Sequence, residues 1–246
     1  MKIDVLTLFP EMFEAVLGES VIGRAREKSL VSMNFVNIRD FTENKHGKVD
    51  DYPYGAGGGM VMAPQPIFDA YMSVAGEKKP HVIYMSPQGS VFNQQKAKEL
   101  AGKEHIVILC GHYEGVDERI IEEIVDEEIS IGDYVLTGGE IPAMAIIDSL
   151  SRMVEGVVGK GNGETESHEG GLLEYPQYTR PPEYRGRKVP EILLSGHDGM
   201  IAKWRKYMSL KRTEKKRPDM YEKYNLTKED IKLLESGEPI VPQKKR

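Results

Sequence analysis

The chain has 246 residues, of which 39% are hydrophobic and 29% charged, with a formal net charge of −6. These fractions are those of a folded globular chain and argue against disorder, and the length allows one large domain or a large domain with a small one. The single cysteine, Cys110, excludes an internal disulfide, no Cys/His cluster has zinc-site spacing, and no apolar run reaches the roughly 20 residues of a membrane span.

In chain order, residues 2–9 read as a strand, and Pro10 suits the first turn of a helix running towards Leu17. The segment 1–9 lacks the long apolar stretch of a secretory leader, so a cytoplasmic location is expected. Residues 33–38 alternate like a strand. The runs 81–85, 105–110 and 128–131 are short, apolar and closed by turn residues, as buried parallel strands are. Cys110 ends the second run and reads as a small core residue. Segments 93–101 and 117–125 have helical spacing, and 142–154 repeats apolar residues at three and four. This alternation predicts an α/β domain, residues 1–157, with a mainly parallel sheet and covering helices.

Residues 158–171, VGKGNGETESHEGG, are glycine-rich, polar and acidic and read as a mobile linker. Beyond it the texture turns helical and basic, which predicts a small helical C-terminal domain over 172–246. Helices are expected at 191–206 and 227–236, the latter opened by Thr227 and Asp230, and the tail 243–246 is expected to be disordered. The net charge hides an asymmetry. Residues 203–217 hold eight Lys/Arg and one acid, whereas 114–128 hold eight Asp/Glu and one base. A polyanion would meet that local basic run; on charge alone a solvated helix face accounts for it equally well.

In an open parallel sheet, ligands bind beyond the carboxyl ends of the strands. Three such ends are followed by glycine-containing polar segments: SPQG at 86–89, GHYEG at 111–115 and GDYVLTGGE at 132–140. Three at consecutive strand ends point to a shared pocket. The chain has no GxxxxGK[ST], and its glycine run YGAGGGM at 54–60 is neither GxGxxG nor set in a strand–helix–strand unit. These absences argue against ATP or a dinucleotide held by its phosphates, and leave a ligand held by backbone groups and apolar contact.

At these segments the sequence resembles, along nearly its whole length, the bacterial tRNA (guanine-N1)-methyltransferases that act on guanine at tRNA position 37, a family of the SPOUT class. The resemblance is carried by LFPEMF (8–13), VDDYPYGAGGGM (49–60), SPQG, GHYEGVDER (111–119), SIGDYVLTGGE (130–140), GLLEYPQYTRP (171–181), VPEILLSG (189–196) and RTEKKRP (212–218). It implies S-adenosyl-L-methionine as cofactor, a deep trefoil knot formed by the second and third segments, and a homodimer whose active sites are shared between subunits. It places the cofactor against Tyr84, Met85, Ser86 and Pro87, against Gly111, Tyr113, Glu114 and Gly115, and against Ile131, Gly132, Tyr134, Leu136, Gly138 and Gly139. Family members use magnesium as a helper, and the sequence offers no recognisable site for it.

The same resemblance matches Arg152 to the family's catalytic arginine. The family's general base is an aspartate opening a DSFxxGLL-type stretch, which here reads ESHEGGLL over 166–173, so the role falls to Glu166, with Glu169 and His168 as alternatives. Asp50 and Gly59 would line the target-base pocket, and Gly58 replaces the proline usual in that loop. Tyr113 could also stack on the target guanine. Glu174 matches the carboxylate reading guanine 36, and Lys203, Arg205 and Arg212 would hold tRNA phosphates. Two other readings fit parts of the pattern: a knotted methyltransferase with another RNA target, which would have no need of VDDYPYG or GLLEYPQYTRP, and a non-catalytic RNA-binding relative, motivated by the missing aspartate.

Overall fold

The computed structural model describes residues 1–55, 58–159 and 166–241. The chain divides into two compact units, Met1–Gly159 and Lys160–Arg246. The first is built in the order β1 (Lys2–Thr7), α1 (Pro10–Leu17), α2 (Ser20–Glu27), β2 (Ser32–Asn37), β3 (Asp50–Asp51), β4 (Val61–Met62), α3 (Pro64–Ala75), β5 (His81–Val91), α4 (Gln94–Ala101), β6 (His105–Cys110), α5 (Glu118–Ile124), β7 (Glu127–Ser130) and α6 (Glu140–Met153). Five of these strands form one sheet in the order β2-β1-β6-β5-β7, and every neighbouring pair is parallel. The expected α/β class with a mainly parallel sheet is what the structure shows.

Alternation along the strands explains the two-sided core. In β6, Ile106, Ile108 and Cys110 face one side and pack with Phe13, Ala143, Ile146 and Leu150 of α1 and α6. Val107 and Leu109 face the other and pack with Ile67, Ala70 and Val74 of α3 and Ile120 and Ile124 of α5. With both faces covered, the strands read as continuous apolar runs, and each fully buried Ile or Leu contributes about 1.5–3 kcal/mol. The sequence pattern does not announce α2 and α3. α2, SVIGRARE, buries only Ile22, Gly23 and Ala25, and α3 begins with prolines at 64 and 66, residues that otherwise signal a break.

One expected loop is corrected. Residues 86–89 do not follow a strand; they interrupt one. Met85 pairs with Ile129 of β7, and so does Ser90, so the intervening four residues are pushed out of the ladder before pairing resumes at Ser90 and continues at Val91–Ser130. Pro87, with no N–H to give, suits a position outside the ladder.

The second unit contains a short hairpin, β8 (Glu183–Tyr184) and β9 (Arg187–Lys188), then α7 (Glu191–Leu194), α8 (Asp198–Lys216), α9 (Pro218–Lys223) and α10 (Lys228–Ser236). The single helix expected over 191–206 is in fact two. α7 stops at Ser195, whose hydroxyl donates back to Ile192 O at 2.7 Å, and Gly196 turns the chain at φ +70° before α8 begins. The capping pair at α10 forms as its sequence suggests: Thr227 Oγ1 accepts from the Asp230 N–H and Asp230 Oδ2 accepts from the Thr227 N–H, both at 3.1 Å. Of the expected linker, residues 160–165 lie outside the described residues, as does the tail 243–246; Glu169–Gly171 form a 3-10 turn. No helix among the described residues is long and apolar enough to cross a membrane.

Candidate active site

A cleft of about 440 Å³ opens at the carboxyl ends of β5, β6 and β7, within the range usual for small-molecule sites, about 300–1,000 Å³. The bulge after Met85 supplies Tyr84, Met85, Ser86 and Pro87. The turn after β6 supplies Gly111, Tyr113, Glu114 and Gly115. The segment between β7 and α6 supplies Ile131, Gly132, Tyr134, Leu136, Gly138 and Gly139. The structure therefore brings all the residues expected around a cofactor into one cleft. Tyr134 and Tyr113 are exposed at its rim and Tyr84 is buried in its wall. Burial, and after it the charge of Glu128, pushes the Tyr84 phenol above its ordinary value, so it remains a neutral group.

Backbone hydrogen bonds bind the second and third segments together. The Gly139 N–H donates to Gly111 O at 2.9 Å, and His112 and Gly138 form an antiparallel bridge. Gly139 approaches β6 so closely that a Cβ there would lie 2.7 Å from the Cys110 Cα. Cys110 is fully buried beneath the cleft, and burial, followed by the charge of Glu140, holds its thiol well above the ordinary range. It is a core residue and no nucleophile.

Under this junction lies a polar cluster that sequence reasoning missed. Glu140, 2% exposed, accepts from the Thr7 hydroxyl at 2.8 Å, and its other oxygen lies 2.8 Å from His112 Nε2. Thr7 Oγ1 in turn accepts from the Phe9 N–H at 3.0 Å. The cluster ties the end of β1 to two of the three cleft segments. A buried carboxylate is tolerated when partners surround it in this way. The only signal was a glutamate directly after two glycines.

The glycine run 54–60 joins β3 to β4, and its residues 56 and 57 lie outside the described residues. Asp50, on β3, and Gly59 do not line the cleft, but the segment adjoins it: the Glu114 N–H donates to Met60 O at 3.0 Å and the Met62 N–H to Gly115 O at 2.9 Å.

In the second unit, a cavity of about 790 Å³ gathers Glu166, Glu169, Glu174 and Arg205 with Leu172, Tyr175 and Tyr224. The Glu174 N–H donates to Ser167 Oγ at 3.0 Å, and the Arg205 guanidinium lies 4.8 Å over the Tyr175 ring. His168, at φ +74°, is exposed and does not line this cavity, and Lys203 and Arg212 lie on α8 outside it.

The family model described as tRNA (Guanine-1)-methyltransferase TrmD matches residues 1–223. The chain belongs to this family. Proteins named tRNA (guanine-N(1)-)-methyltransferase are similar along almost their full length. The one from Ruminiclostridium cellulolyticum is 63% identical over 226 residues, covering 91% of this chain and 97% of its own. Those from Brevibacillus brevis and Halalkalibacterium halodurans are 57% and 56% identical, over 95% and 96% of this chain and 97% of their own.

Two features that a methyltransferase of this family leads one to look for are not in the cleft. Arg152 stands in the last turn of α6, twelve residues past Glu140, or about 18 Å along the axis at 1.5 Å per residue. It therefore does not line the cleft of its own chain. Among the described residues, no group of three or more His, Cys, Asp or Glu side chains is placed to hold a metal ion, so the magnesium helper acquires no site residues here.

Proposed function

We propose that this chain transfers a methyl group from S-adenosyl-L-methionine to N1 of guanine at position 37 of tRNA, leaving N1-methylguanine and S-adenosylhomocysteine. The observation that carries the proposal is the cleft itself: three glycine-containing segments converge at the strand ends of a chain belonging to this family. The residues fit the cofactor. Gly111 packs against the Tyr84 ring and Gly139 against the end of β6, so the cleft segments close on one another without side chains between them, the rim tyrosines offer flat apolar surface, and the charges in the walls are those of Glu114, Glu118 and Glu128. Those carboxylates suit a ligand with a positive centre.

When bound, the cofactor supplies a methyl group on a positively charged sulfur. N1 of guanine carries a proton at neutral pH, so a base must take it as the bond forms. Glu166 is assigned that role. Arg152 is assigned the stabilisation of the negative charge that grows on the base as the proton leaves. Its place at the far end of α6 supports a site completed by a second copy of the chain, in a homodimer. Asp50, Gly59 and Tyr113 would hold the target guanine, Glu174 would read guanine 36, and Lys203, Arg205 and Arg212 would hold phosphates. In this reading, residues 1–157 are a knotted SPOUT domain, 158–171 a flexible connection and 172–246 a tRNA-binding domain, working in the cytoplasm.

The test is methyl transfer from labelled cofactor to tRNA transcripts carrying guanine at 36 and 37. Transfer to a transcript with adenine at 37 overturns the target assignment. Comparing Glu166→Gln with Glu169→Gln identifies the base, since full activity of the first removes Glu166 from the mechanism.

A further inference from the structure

Gly59 does not line the cleft, yet it bears on the position of a residue that does. Its φ is +82°, and a Cβ built on it would lie 2.5 Å from Cγ and 2.7 Å from Cδ of Glu114. Glu114 lines the cleft. Its backbone is pinned from the same side, because the Glu114 N–H donates to Met60 O at 3.0 Å, the Met62 N–H to Gly115 O at 2.9 Å, and the Asp117 N–H to Met62 O at 3.1 Å. Met62 and Val116 pair as a parallel bridge, and the His112 N–H points at the Met62 sulfur at 3.2 Å. Met60 and Met62 are thus laced to residues 112–117. A side chain at position 59 would strike the outer half of Glu114, from Cγ to the carboxylate. With the backbone held, the only relief is a change of rotamer, and rotamers are discrete. The Glu114 carboxylate would leave its present place altogether.

We propose that Gly59 is a positioning residue for the cofactor cleft: its missing side chain seats Glu114, and through that contact the glycine segment and the cleft are set together. The proposal rests on the proposed function for the identity of the ligand. Asp50, on β3, and Gly59, in the segment joining β3 to β4, are both proposed to meet the target base, so occupancy of the cleft and capture of the base are coupled. Coupling of this kind is reciprocal: whatever factor the cofactor adds to RNA affinity, RNA adds to cofactor affinity.

A double-mutant cycle read by calorimetric titration with S-adenosyl-L-methionine tests it, using the full-length chain, Gly59→Ala, Glu114→Ala and the double variant. The expected result is that Gly59→Ala weakens binding about tenfold when Glu114 is present, and less than about twofold in the Glu114→Ala background, a coupling within the range for residues in contact. Equal weakening in both backgrounds overturns the proposal, because strain at the positive φ alone would then be the cause. Unchanged affinity in both overturns it too. Hydrogen exchange on the unsubstituted chain gives a check that needs no variant to fold. Added cofactor should slow the Met62 amide, outside the cleft, along with those of 111–115. Protection confined to 111–115 overturns the coupling. No heat with the unsubstituted chain overturns the cofactor assignment and the proposal together, whereas heat there with equal weakening overturns the proposal alone.

Discussion

The imidazole Nε2 of His112 and the carboxylate of Glu140 meet at 2.8 Å, and the pair is closed from the other side by the Thr7 hydroxyl, also at 2.8 Å. Removing one member strands the others in a site where water has little access. Glu140→Ala leaves a buried hydroxyl and a ring N–H without their acceptor, which costs about 2–4 kcal/mol. Glu140→Gln keeps an oxygen for one partner and costs less, and Thr7→Val, which removes one bond and orphans the Phe9 N–H, about 1–2 kcal/mol. Urea unfolding at fixed protein concentration should return that order; a greater destabilisation by Thr7→Val than by Glu140→Ala contradicts the network.

Gly138 and Gly139 are adjacent and should respond differently to alanine. A Cβ on Gly138 strikes His112 Nε2 and lies 2.5 Å from Glu140 Oε2, both side-chain atoms. A Cβ on Gly139 lies 2.7 Å from the Cys110 Cα and 3.0 Å from the Gly111 N, which belong to a fully buried strand end and cannot yield. Gly139→Ala should therefore abolish cofactor binding by displacing two cleft segments at once. Gly138→Ala should weaken it by about tenfold while also lowering stability, the range expected where side chains repack. Parallel titrations of the two variants decide the matter.

How much of this was legible in the sequence follows from the range of the interactions involved. β6 announced itself because HIVILC is buried on both faces, and the starts of α1 and α10 because Pro10 and the Thr227–Asp230 pair act within one turn. The three cleft segments were visible as glycine at strand ends. The bulge at 86–89 was not, since proline and glycine signal a turn whether or not the chain afterwards rejoins the same neighbour, and only the register to β7 reveals that it does. The break between α7 and α8 depends on Gly196 taking φ +70°, which an apolar spacing pattern does not encode. Thr7 and Glu140 are 133 positions apart, and nothing local pairs them.

Asp126 and Glu127 should make stability depend on acid pH. Burial raises both carboxyls, but the Val82 N–H and Lys79 outweigh it at Asp126, and His81 and Lys96 outweigh it at Glu127, so both end below their ordinary values. A carboxyl depressed in the folded state stabilises above its unfolded pKa, and that contribution disappears as pH falls through the folded value, which here means below about pH 4. Lys96 Nζ lies 3.1 Å from Glu127 Oε2. Lys96→Met should cost about 0.5–1 kcal/mol at pH 7, as partly exposed pairs do, and progressively less as pH falls below about 4 and Glu127 takes up its proton. A difference that stays constant across that interval assigns the lysine's contribution to packing of its stem.

The basic run on α8 should divide into two groups when tRNA binding is measured against salt. Lys206 is tied to the Tyr224 hydroxyl at 2.8 Å and to Asp230 at 3.4 Å, Lys211 to Glu214 at 2.5 Å, and Arg217 to Asp219 at 2.7 Å. These cations already face acids of their own chain. Withdrawing one cation from a phosphate lowers the slope of log K against log salt by about 0.7–0.9. Lys203→Gln and Arg212→Gln should each show that decrement and weaken binding to every tRNA alike, because phosphate contacts carry no sequence information. Lys206→Gln should leave the slope nearly unchanged and lower thermal stability instead, because Asp230 is only 3% exposed and would be left without its cation. Slopes undiminished in Lys203→Gln and Arg212→Gln would move the RNA surface off α8.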